Sequence, residues 1–155
     1  MRWLILILCL SLVGCLENET THRSDKPLTL DAAQKDKWIS STPFPSSATN
    51  IYYFYHSGGM QEYEFVVRFT ADSKDLNESV SNLCADYDKT TKEHHTYISK
   101  SIANARQPLS FSEFGLAWWN PNLITNGYYC GSTNGQPFDI WVNVPMHTIY
   151  LSETD

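Results

Sequence analysis

The sequence predicts an α+β domain: a largely antiparallel sheet of about five strands with a helix packed on one face. Three observations predict it. Tyr63-Glu-Phe-Val-Val-Arg-Phe69 alternates with period two, placing Tyr63, Phe65, Val67 and Phe69 on one face and Glu64 and Arg68 on the other. The aromatic, β-favouring run Ile51–His56 precedes it across Ser57-Gly58-Gly59-Met60, so the two form a hairpin. Then Leu76, Val80, Leu83, Cys84 and Tyr87 recur at helical spacing.

Each element follows in chain order. Residues 16–27 are polar and read as a tether. Leu28–Ile39 is expected to form a short helix, with Leu30, Ala33, Lys37 and Trp38 on one side. Ser40–Asn50, carrying Pro43 and Pro45, is extended or loop. After the hairpin, Asp72 caps a helix over about 73–87, with Asp75 in its first turn. Residues 88–112 form a polar excursion, in which Tyr97, Ile98 and Ile102 could support a short helix. Phe114–Pro121 is too aromatic for a free loop. Asn126-Gly127 and Asn134-Gly135 mark turns around a short strand at Tyr128–Cys130. Phe138, Ile140, Val142 and Val144 alternate with Asp139, Trp141 and Asn143, as in a half-buried strand. Pro145-Met146-His147 turns the chain into a last strand, Thr148–Leu151.

Composition excludes some functions. The chain has 155 residues and a formal charge of −6. Clustered Lys and Arg are lacking, which argues against nucleic-acid binding. Of five histidines, His94 and His95 are adjacent to each other and to Glu93, and adjacent side chains diverge on a helix or strand. No metal is expected. Ser57 beside His56 reads as turn chemistry rather than a nucleophile and its base. Glu62 and Glu64 share a strand face about 7 Å apart, within glycosidase range, but exposed strands often carry such pairs. No cofactor motif is found, and the expected role is non-catalytic. The aromatic load points to binding: Tyr53, Tyr55, Trp118 and Trp119 are the candidate surface for a protein partner. The alternative is that residues 28–50 or 88–112 cover them.

The first residues address the chain. Arg2 precedes an apolar run, Trp3–Val13, too short to span a bilayer as a helix. A basic start, a short apolar core and a small residue before a cut make a secretory signal over residues 1–14. Leu12-Val13-Gly14-Cys15 resembles the lipobox of bacterial lipoproteins. That resemblance implies cleavage before Cys15, acylation of its thiol and amino group, and stable anchoring by two or more chains. Leu16, where an aspartate would favour inner-membrane retention, implies the outer membrane of a Gram-negative host. The domain is then 28–155, behind an acylated tether at 15–27. Cys9 leaves with the signal, so Cys84 and Cys130 remain and read as one disulfide of an exported domain. A redox pair or a metal site is the competing reading.

Pro45-Ser-Ser-Ala-Thr-Asn-Ile51, the Gly58-Gly59 hairpin, Trp118-Trp119-Asn-Pro121 and Ile140-Trp-Val-Asn143 resemble a group of small, uncharacterised bacterial lipoproteins. That likeness brings no activity with it. A second resemblance is to membrane-bound lysozyme inhibitors, which place a Ser-Gly-x-x-Tyr loop in the enzyme's cleft. Here Ser57-Gly58 is followed by a tyrosine only at Tyr63, so the motif is broken. The expected role is that of a protein-binding or structural module whose partner is an envelope or secreted protein; the alternatives are an inhibitor or immunity protein against a secreted hydrolase, and an enzyme of unknown class.

Overall fold

The computed structural model describes residues 19–59, 62–80, 100–101, 107–108, 110–131 and 138–154. Mostly sheet with some helix, the fold has seven antiparallel strands among the described residues: β1 (Thr20–Arg23), β2 (Thr49–Gly59), β3 (Glu62–Thr70), β4 (Lys100–Ser101), β5 (Gly127–Gly131), β6 (Phe138–Asn143) and β7 (Thr148–Thr154). Their order across the sheet is β1-β2-β3-β7-β6-β5-β4. The five expected strands form its centre. The two unexpected ones, β1 and β4, are its edges.

Residues 20–23 therefore correct the tether expected over 15–27. Thr20 pairs with Ser57 and Arg23 with Phe54, so the domain begins before residue 28. Polar Thr and Arg suit an edge strand whose side chains mostly face water. The hairpin is longer than expected. Pairing runs to Gly59↔Glu62, so Gly59 belongs to β2 rather than to the turn.

Helix α1 (Leu30–Lys35) is shorter than the expected 28–39. Thr29 caps its start, its hydroxyl accepting from the Ala32 amide at 3.3 Å. Asp36 ends it. The Asp36 carboxylate accepts from the Trp38 amide at 2.9 Å and from the Tyr53 hydroxyl at 3.0 Å, which draws the chain out of helical geometry. Ile39 enters the core and Trp38 stacks on Tyr55 at 4.8 Å. Residues 73–80 form a second helix, α2. Asp72 caps it as expected, accepting from the Asp75 amide at 2.8 Å. Asp75 in turn accepts from the Ser46 hydroxyl and the Ser47 amide, both at 3.1 Å. Those bonds hold its carboxyl below the usual value. The expected continuation through residue 87, and most of the 88–112 excursion, lie outside the described residues.

Both faces of the sheet are covered. On one, Ile51, Tyr53, Val67, Phe69, Ile140, Val142, Ile149 and Leu151 pack with Ala33 and Ile39, and with Leu76 and Val80 of α2. On the other, Phe54, Val66, Tyr129, Trp141 and Tyr150 pack beneath Phe111, Leu116, Trp119 and Ile124. That second cover contains two short 3-10 turns, Ser112–Phe114 and Pro121–Leu123. It corrects the half-buried reading of β6: Trp141 is only 1% exposed, although it alternates with the residues of the first face.

Covering both faces also raises one tyrosine's ionisation. Tyr53 is pushed from 10.0 to about 12, by burial first and then by its bond to Asp36 and that carboxylate's charge. The folded value exceeds the unfolded one, so this contribution to stability is complete below pH 10.0 and is lost as pH rises towards about 12. A Tyr53→Phe variant should therefore lose stability less steeply than the parent over that window. Parallel alkaline unfolding curves for the two proteins would reject the assignment.

Candidate functional site

The four aromatic candidates do not make one surface. Tyr53 and Tyr55 lie on the α1/α2 face, Trp118 and Trp119 on the opposite one. Tyr53 and Trp119 are buried, at 5% and 8% exposure. This corrects the expected binding surface, and the reason is that residues 28–50 roof one face and 111–124 the other. Tyr55 and Trp118 are half-buried. Trp118 stacks on Tyr52 at 5.4 Å. Tyr55 lies within a ladder of rings from Trp38 to Tyr63, and His22 of β1 stacks on Trp38 at 3.9 Å.

Beneath the second cover the sheet holds polar groups that sequence reasoning missed. Arg68 lies over the Tyr52 and Tyr150 rings at 5.6 and 5.9 Å, and its Nε is buried without a hydrogen-bond partner. The Tyr150 hydroxyl donates to Asn120 Oδ1 at 2.5 Å, tying the cover to the sheet. Burial pushes the Tyr150 hydroxyl pKa up, and Arg68 opposes this. On neighbouring strands the Tyr129 hydroxyl donates to the buried Asp139 carboxylate. Gly131 permits that bond, since a Cβ there would overlap the Tyr129 hydroxyl and stand 2.5 Å from Asp139 Oδ1. The sequence signal was available: Gly131 lies two positions from Tyr129, on the same strand face.

Among the described residues, two places are open to other molecules. The first is a cavity of about 360 Å³ at the rim of the second cover, with Phe111, Leu116, Trp119 and Pro121 as its apolar wall and Ser110 and Asn122 among its polar lining. It falls in the size range of small-ligand pockets. Among the described residues that line it, none is charged. The second is the hairpin end of the sheet. Here His56 pairs with Glu64 across the strands, and His56 Nδ1 is 3.1 Å from the Thr21 hydroxyl. Burial pushes the Glu64 carboxyl above its usual value; His56 opposes this and Glu113 adds to it. The Tyr63 hydroxyl, opposite Ser57, donates to Glu153 at 2.7 Å. Ser57 and His56 are successive residues of one strand and point to opposite faces, so their geometry is not that of a nucleophile and its base.

The remaining expected sites are reached only in part. Cys130, 2% exposed on β5, is disulfide-bonded, and its partner lies outside the described residues, as do Cys84, Cys15, His94 and His95. Among the described residues no group of three or more His, Cys, Asp or Glu is placed to hold a metal ion. No described helix is long and apolar enough to cross a membrane. No protein-family model matches the chain, and neither a curated protein nor a solved structure shows significant similarity to it.

Proposed function

We propose that the chain is a bacterial envelope lipoprotein, anchored through acylated Cys15, whose single domain acts by binding another protein rather than by catalysis. The observation that carries this reading is the N-terminal segment: Arg2, the apolar run Trp3–Val13, and Leu12-Val13-Gly14-Cys15. Leu16 after the cysteine favours the outer membrane. A Cys84–Cys130 bridge suits an oxidising compartment and would add about 4 kcal/mol by loop closure. In the finer architecture, the five central strands carry α2 on one face.

The test is Cys15→Ser. The parent should partition with membranes and carry acyl mass on its amino-terminal fragment, and the variant should appear in the soluble fraction. A variant that stays with membranes would defeat the anchor.

A second reading is an inhibitor or immunity protein against a secreted hydrolase. It is favoured by the formal charge of −6, which complements a basic enzyme. It predicts a tight complex with such an enzyme, with rates of association that fall as salt rises.

A further inference from the structure

We propose that the hairpin end of the sheet is the membrane-proximal end of the domain, and that β1 continues the lipid anchor with almost no slack. This rests on reading Cys15 as the acylated residue.

β1 begins at Thr20, so only Leu16–Glu19 separate it from Cys15. Five Cα steps extend to about 18 Å at most. The register gives the direction. Arg23 pairs with Phe54 and Thr20 with Ser57, so the chain, followed back towards Cys15, heads along the strands towards Gly59. β1 thus enters the sheet from the hairpin end. That end also carries Glu64 and Thr154, which pair with each other across β3 and β7. The opposite end carries Thr70 and Thr148, also paired, and the turn before β7. The nine residues of β3 put the two ends about 26 Å apart. β6 lies four strands from β1, about 19 Å across the sheet, so the β6–β7 turn stands diagonally opposite the attachment corner.

Two consequences follow. First, His56, Glu64, Tyr63 and the Ser57-Gly58 corner face the lipid headgroup layer, whereas Met146, 62% exposed in the β6–β7 turn, faces away. Second, a soluble enzyme meets the far end of the domain first. The hairpin cannot enter a cleft as an inhibitory loop while the short link holds it at the leaflet.

The test uses the full lipidated protein in phosphatidylethanolamine/phosphatidylcholine vesicles carrying an energy-acceptor dye on a fraction of the headgroups. A donor dye is placed at Gly58→Cys or at Met146→Cys. With an acceptor pair of short range, transfer from position 58 should exceed transfer from position 146 about twofold or more, given ends about 26 Å apart. A flexible Gly/Ser insert of about 20 residues before Glu19 should bring the ratio close to one. Equal or reversed transfer in a protein that floats with the vesicles, or a ratio the insert leaves unchanged, overturns the orientation and leaves the anchor standing. A protein that does not float, or a Cys15→Ser variant that still does, overturns the anchor and the orientation with it.

Discussion

Replacing Gly127 with alanine is expected to destabilise the domain by about 3 kcal/mol or more. Gly127 opens β5 opposite Asn143. A Cβ there would overlap the Val142 carbonyl oxygen and stand 2.9 Å from its carbon, with Ile124 Cγ2 at 3.2 Å on another side. The first obstacle is backbone, and no rotamer change relieves it. Either β5 moves away from β6, at the cost of ladder hydrogen bonds, or β6 shifts within a sheet covered on both faces. Gly115 is the control. Its φ of 65° is in the left-handed region, but nothing lies within 4 Å of a Cβ there. Gly115→Ala should cost only about 1 kcal/mol, from backbone strain alone. Urea unfolding of the three proteins checks this. A Gly127→Ala midpoint no lower than that of Gly115→Ala would mean that the β5–β6 pairing is looser than described.

Truncating Trp141 to alanine is expected to cost about 3–5 kcal/mol and to loosen the second cover before the sheet unfolds. Trp141 is 1% exposed at the centre of that face. It meets Trp119 edge to face at 6.0 Å and Tyr129 at 5.8 Å. Trp119 is in turn set edge-on against Phe111, at 5.8 Å, and against Tyr150, at 5.7 Å. Removing the Trp141 indole leaves Trp119 without its floor, and 111–124 depends on Trp119 and on the Tyr150–Asn120 bond for its seat. Amide exchange should therefore speed up across 111–124 in the variant while β2 and β3 stay protected. A variant in which both regions open together would show that cover and sheet are one cooperative unit. Trp118→Ala should cost less, because Trp118 is half-buried and stacks on Tyr52 from the edge of the cluster.

The cover shows why the candidate surface was misread. Tyr52, Tyr53, Phe54 and Tyr55 are consecutive, so a strand must place two on each face, and that much follows from period two. Whether either face meets water depends on segments outside the strand. Residues 28–50 lie over one face, and 111–124 over the other. Neither contact leaves a mark near residue 53, and so burial of Tyr53 and Trp119 was not legible locally. The Tyr129–Asp139 bond left only Gly131 as a local mark, because it also needs β5 and β6 in one register, and Arg68 needs Tyr150 of a strand more than eighty residues away to complete its setting.

What the sequence by itself determined is short-range: the β2–β3 hairpin, the alternation in β6, the turn before β7, the Asp72 cap and the start of α2. Each is encoded within a few residues by period, turn chemistry or a capping side chain. The tertiary structure decided what those signals cannot carry. It set β3 beside β7, covered both faces, and drew Thr20–Arg23 out of a polar stretch to form an edge. Four polar residues have too little apolar surface to order themselves; they become a strand because β2 presents unpaired amides and carbonyls beside them. That pairing turned an expected tether into the first strand of the sheet.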